Sequence, residues 1–122
     1  MALTVVKSER HGWAVLQVMG EMDVFTSPAV RDGVHEAVAA GRRRMVLDLS
    51  QVRFCDSSGI GVLIASRRLM RSCQGEVRLV MPEEGTHVNR VFGVLGVRRL
   101  FDISPDLASA LEDGTRSLDM PA

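Results

Sequence analysis

Cys55-Asp56-Ser57-Ser58-Gly59-Ile60-Gly61 is the stretch whose reading decides the fold of this chain. An apolar run, Met45-Val46-Leu47-Asp48-Leu49, precedes it, and a long helical pattern begins near Ser57. The run has the length and continuity of a buried parallel strand, although periodicity alone also admits a buried helical segment. Two hydroxyls and a carboxylate thus stand where a strand hands over to a helix. The first amides of such a helix lack intrahelical partners and lie at the positive end of its dipole, so the corner favours an anion, bound or covalently attached.

Downstream, Gly59, Val62, Leu63, Ser66, Leu69, Met70 and Cys73 recur at i, i+3, i+4, i+7, i+10, i+11 and i+14, one packing stripe for a core. Off that stripe lie Ile60, Ile64, Arg67 and Arg71. Two isoleucines leading into two arginines on a face turned from the core read either as a docking strip or as ordinary partial burial beside solvated arginines.

Upstream, Leu3 to Arg10 and Trp13 to Gly20 read as strands joined by a His11-Gly12 turn. The second is apolar on both faces, as in a sheet covered on both sides. Gly20-Glu21-Met22-Asp23 leads into a loop. Ser27 is positioned to cap a helix with Pro28 in its first turn; Val30, Val34, Ala37 and Val38 follow at helical spacing, and Gly41 suits the left-handed stop.

Beyond the central helix, Gly75 marks a turn and Val77 to Met81 a strand. Thr86 caps a helix carrying Val88, Val91, Phe92 and Leu95, with Gly96 as its stop. Val97 to Phe101 reads as a short last strand, and Ser104-Pro105 as a second serine-proline start, for a helix with Leu107, Ala110 and Leu111. Residues 114–122 are polar and aperiodic and read as a frayed tail behind a domain of residues 1–113.

Strands and helices alternate after the first hairpin, which implies an α/β domain with a mostly parallel central sheet, an antiparallel first strand and helices packed around it. In such sheets the loops at the carboxyl ends of strands carry the sites. Two of these hold Asp23 and Asp56-Ser57-Ser58, and they lie side by side if the second and third strands are neighbours.

Composition narrows the function. With 122 residues, 46% of them hydrophobic and 25% charged, there is one core and one domain. Fifteen basic and 15 acidic residues cancel, which leaves no general pull toward nucleic acid or anionic membrane. The run Arg42-Arg43-Arg44 meets an apolar strand at once and reads as a solvated entrance to it. No apolar stretch approaches the roughly 18 residues that span a bilayer, and the N-terminus lacks signal-peptide order, so a cytoplasmic protein is expected. Cys55 and Cys73 bracket a helix that would hold them more than about 20 Å apart, so both should be free thiols. With His11, His35 and His87 scattered, no zinc spacing exists.

The corner does not read as an enzyme. Gly-x-Ser-x-Gly is absent, no histidine falls at a strand end, and Asp56 beside Cys55 would raise the thiol pKa rather than activate it. Nucleotide-binding glycine motifs are also missing. Asp23 and Asp56 without further ligands suit capping better than a metal. Phosphorylation remains: a phosphoserine adds roughly −1.5 to −2 charges. The fold would tolerate that charge, whereas a partner buried against Asp23 and Asp56 would have to desolvate it.

Over nearly its whole length the chain resembles the anti-sigma factor antagonists, whose fold is the STAS domain. The resemblance rests on Gly20-Glu21-Met22-Asp23 with Thr26-Ser27-Pro28, on Val46-Leu47-Asp48-Leu49 through Phe54-Cys55-Asp56-Ser57-Ser58-Gly59-Ile60-Gly61, and on Val88-Asn89-Arg90-Val91-Phe92 through Leu95-Gly96-Val97. It implies a regulatory protein without a cofactor. The unphosphorylated form binds an anti-sigma factor that is itself a serine kinase and frees a sigma factor; phosphorylation at Ser58 ends the binding, and a phosphoserine phosphatase resets it. Only the resemblance favours Ser58 over Ser57, since the helical wheel turns Ser57 farther from the core. Asp23, Asp56, Ser57, Gly59, Ile60, Gly61, Ile64 and Arg67 are the residues expected to meet the partner. The alternative is a STAS scaffold or transport-assembly subunit whose serine corner is not switched. Cys55 ahead of the aspartate adds a redox question.

Overall fold

A computed structural model describes residues 2–112; the expected tail and residue 113 lie outside the described residues. Strands β1 (Leu3–Arg10) and β2 (Trp13–Met22) form an antiparallel hairpin in which Arg10 pairs with Trp13. His11 and Gly12 between them both have positive φ, 53° and 82°, the twist that a two-residue hairpin loop requires. Helix α1 (Ser27–Ala39) follows, then β3 (Arg44–Cys55), α2 (Ser57–Ser72), β4 (Glu76–Val80), α3 (His87–Val94), α4 (Val97–Leu100), β5 (Asp102–Ser104) and α5 (Leu107–Ala110). The sheet order is β1-β2-β3-β4-β5, and every pairing after the first is parallel. This is the mixed sheet expected from the alternation.

The sheet is covered unequally. Leu16, Val18, Met45, Leu47, Leu49 and Leu79 are buried together with Val30 and Val34 of α1, Leu63 and Met70 of α2, and Val88 and Phe92 of α3. On the opposite face Trp13, Val15, Val46 and Val80 meet Ala110 of the short α5, with Leu107 and Leu111 at the edge. Arg78 holds that side together. It is buried in β4, with its guanidinium 4.4 Å from the centre of the Trp13 ring, 3.4 Å from the Asp102 carboxylate, and donating to the carbonyls of Ala110 at 2.8 Å and Glu112 at 2.6 Å. A cation can enter such a site only with its charge and donors satisfied.

Several sequence expectations change here. Strand β3 continues past the apolar run to Cys55 because β2 goes on pairing with it, Gly20 with Val52 and Met22 with Cys55, through two register shifts. Ser27 does not cap α1. It is the first helical residue and its hydroxyl is buried without a partner, while Thr26 occupies the cap position in a helical conformation and turns its own hydroxyl back to the Glu21 carbonyl at 2.6 Å. Val97 to Phe101 is not a strand. Val97 and Phe101, both buried, lie four residues apart on one turn, with the Phe101 amide bonded to the Val97 carbonyl, and β5 begins only at Asp102. Five residues with apolar ends fit either period. Ser104 lies in β5, and Asp106 caps α5 instead, accepting from the Ser109 amide at 2.8 Å. The arginine run is an exposed strand entrance at Arg42 and Arg43, as expected, with Arg42 paired to Glu9 and Arg43 donating to the Val38 and Arg42 carbonyls, while Arg44 stacks 4.6 Å over Trp13. The Thr86 cap of α3 and the left-handed glycines Gly41 and Gly96 stand where expected.

Arg78→Met keeps the aliphatic stem but leaves two carbonyls without their charged donor. It should lower unfolding free energy by about 1.5–3 kcal/mol in urea titrations, and an unchanged midpoint would show that the Arg78 contacts contribute nothing net.

Candidate functional site

The last rung of the β2–β3 ladder pairs Met22 with Cys55, and the Asp56 amide then donates to the Met22 carbonyl at 3.1 Å. Both strands run the same way, so their chains leave the sheet at the same end, one into the Asp23 turn and the other into α2. The two loops are therefore adjacent.

Asp23 is buried, and its carboxylate is spent within its own loop. Oδ1 accepts from the amides of Phe25 at 2.8 Å and Thr26 at 2.9 Å, while the Asp23 amide donates to the Thr26 hydroxyl at 2.9 Å. The Thr26 amide holds the carboxyl below its ordinary 3.8 against the opposing push of burial, with the Phe25 amide and the Thr26 hydroxyl adding to the effect. The turn's stabilisation is thus present above that ordinary value and is lost as pH falls through the lowered one. At the tip of the turn, Val24 is 59% and Phe25 88% exposed. The sequence reading passed over both, although two apolar residues inside a tight turn are themselves a signal.

Asp56 has extended backbone (φ −100°, ψ −172°) and caps α2, accepting at Oδ1 from the amides of Ser58 at 2.8 Å and Gly59 at 3.3 Å. Two of the helix's leading amides therefore already hold a carboxylate, so the corner is less open to an added anion than expected, and neither serine is its cap. Ser57 is exposed and Ser58 half-buried, as the helical wheel indicates.

Of the other residues expected to face a partner, Gly61 is exposed and Ile64 and Arg67 are half-buried, whereas Gly59 and Ile60 turn inward. A Cβ on Gly59 would come within 2.5 Å of the Cys55 sulfur and 3.0 Å of Met22 Cβ, so glycine here permits α2 to cross the ends of β2 and β3. Ile60 joins the cluster that holds Val30 and Val34, because α2 packs against α1 as well as the sheet and buries a wider arc than one stripe. Ile60 therefore leaves the expected docking strip.

Cys55 is buried, and its thiol is pushed up to about 12, first by burial and second by the Asp56 charge, against the Ile60 amide. That environment disfavours the reactive thiolate. Both cysteines are free. Among the described residues no three metal-ligating side chains gather, and no helix is long and apolar enough to cross a membrane.

Gly59→Ala should destabilise the domain by about 1–3 kcal/mol through overpacking, read from the thermal midpoint. Iodoacetamide at pH 8 should label half-buried Cys73 in the folded protein and Cys55 only in denaturant; equal native rates would contradict the shielding described for Cys55.

A STAS domain family profile matches residues 4–110. Anti-sigma-F factor antagonist RsfB of Mycobacterium tuberculosis is 31% identical over 111 residues, covering 90% of this chain and 88% of that protein. The anti-sigma F factor antagonist of Paenibacillus polymyxa is 27% identical over 114 residues, 93% of this chain and 96% of its own. Among solved structures, that of an anti-sigma factor antagonist from Mycobacterium paratuberculosis superposes with a TM-score of 0.79 at 29% identity, covering 90% of this chain and 92% of that one. Sheet order, serine corner and these similarities agree: the chain belongs to the STAS domain family.

Proposed function

We propose that this protein is a cytoplasmic anti-sigma factor antagonist and that a phosphate on Ser58 operates it. Unphosphorylated, it binds an anti-sigma factor serine kinase and so frees a sigma factor. The Ser58 hydroxyl attacks the γ-phosphorus of ATP held by that partner, ADP leaves, and the proton passes to a base of the partner. A phosphatase hydrolyses the ester and restores binding. In this reading the protein is a substrate and brings no catalytic group of its own.

The observation that carries the reading is the state of the α2 amides. Asp56 already occupies those of Ser58 and Gly59, so a phosphate on Ser58 finds these two donors taken and adds its charge beside an existing carboxylate. Solvent can screen that charge in the free protein. A partner closing over the corner would strip the solvent away, and the interface gives way. The fold holds, because the cap belongs to Asp56 and neither Ser57 nor Ser58 is part of the core. The names of the similar proteins support the antagonist assignment. Ser57, Gly61, Ile64 and Arg67, none of them fully buried, supply the surface around Ser58.

With the kinase and Mg-ATP, wild-type and Ser57→Ala proteins should each take up one phosphate and Ser58→Ala none. Labelling of Ser58→Ala would move the acceptor, and no labelling of any form would favour an unswitched scaffold. Ser58→Asp should weaken kinase binding by about tenfold or more in calorimetry with little change in Tm.

A further inference from the structure

We infer that Phe25, with Val24, is the apolar anchor of this same interface, seating in an apolar pocket of the anti-sigma factor, and that Asp23 is a positioning residue for it. The inference rests on the antagonist reading above.

Among the described residues Phe25 is the most exposed of the large hydrophobics, at 88%, and Val24 beside it is 59% exposed. An aromatic side chain left in water is common as a single event; one held rigidly beside a functional corner is less so. Both residues sit on a turn fixed at every step. The Asp23 carboxylate takes the amides of Phe25 and Thr26, the Thr26 hydroxyl bonds to the Glu21 carbonyl, and the Ser27 amide bonds to the Asp23 carbonyl at 2.9 Å. Pro28 then stiffens the first turn of α1. A backbone ordered in advance loses little entropy on binding, and large aromatic side chains are enriched among interface hot spots.

Location supplies the occupant. The turn leaves β2 directly after Met22, whose carbonyl accepts the Asp56 amide, so the turn that carries Phe25 and the helix start that carries Ser58 follow from two chain segments joined by that hydrogen bond. A kinase that places ATP against Ser58 must come down over this end of the sheet and meet the tip. The geometry also reassigns Asp23: buried, with Oδ1 held by amides of its own loop, it acts on the partner through Phe25.

The test uses the full chain and the kinase captured on the immobilised wild-type protein with ADP, then purified. Dissociation constants and Ser58 phosphorylation kinetics are measured for wild type, Phe25→Ser, Asp23→Ala, Asp23→Asn and Val94→Ser. Val94, 86% exposed on α3, controls for the loss of any exposed apolar group. Phe25→Ser should raise Kd and KM about tenfold or more with kcat and Tm unchanged. Asp23→Ala should weaken binding by loosening the turn, and Asp23→Asn, whose amide oxygen still accepts both hydrogen bonds, should recover most of it. Wild-type affinity in Phe25→Ser, or an equal loss in Val94→Ser, overturns the anchor while leaving the antagonist reading intact. Asn as damaging as Ala would mean that the Asp23 charge itself meets the partner, and overturns the positioning role. A wild-type protein that neither binds the kinase nor is labelled by it overturns both readings.

Discussion

The hydrogen bond from the Asp56 amide to the Met22 carbonyl closes the β2–β3 ladder, and the rest of the site depends on it. Parallel strands end at the same edge of the sheet, so this final rung brings together loops more than 30 residues apart in the chain. It sets where α2 starts, and Gly59 lets that helix pass against Met22 and Cys55. Without it the serine corner and the Asp23 turn would be two unrelated surface loops.

Two carboxylates then define the corner, and neither is a free charge. Asp23 is consumed by the amides of its own turn and Asp56 by those of α2. Each replaces lost backbone hydrogen bonds, which is what aspartate does best at a turn or a helix start. The consequence for regulation is electrostatic. In the proposed switch, an added phosphate finds the amides of Ser58 and Gly59 already taken and places its charge beside Asp56. The same charge on Asp56, together with burial, keeps Cys55 protonated.

The opposite face of the sheet solves a different problem. Among the described residues only the short α5 covers it, and burial of a few apolar groups is a small stabilisation. Arg78 and Arg44 over Trp13 supplement it with cation–π contacts, and Arg78 adds hydrogen bonds to the carbonyls beyond α5. This face lies away from α2, so the serine corner and the arginine clamp are separate parts of one domain.

What the sequence by itself determined was whatever local chemistry controls: the hairpin at His11-Gly12, the strand from Met45, the packing stripe from Gly59 to Cys73, the Thr86 cap, and an α/β order with serines at a strand-to-helix corner. Tertiary structure decided which polar group satisfies which amide. Asp56 caps α2, a role its chemistry suits, but Ser27 and Ser104, read as capping residues, do not cap, and Asp106 performs that role in α5, because a cap depends on the backbone angle at one residue and several neighbours share the chemistry. It also decided that Ile60 faces inward, since α1 lies beside α2 and a helical wheel carries no record of a neighbouring helix. Arg78 was invisible for the same reason: an isolated arginine in a strand looks exposed until Trp13, Asp102 and the carbonyls of Ala110 and Glu112 come together around it, and those partners lie up to 65 positions away in the chain.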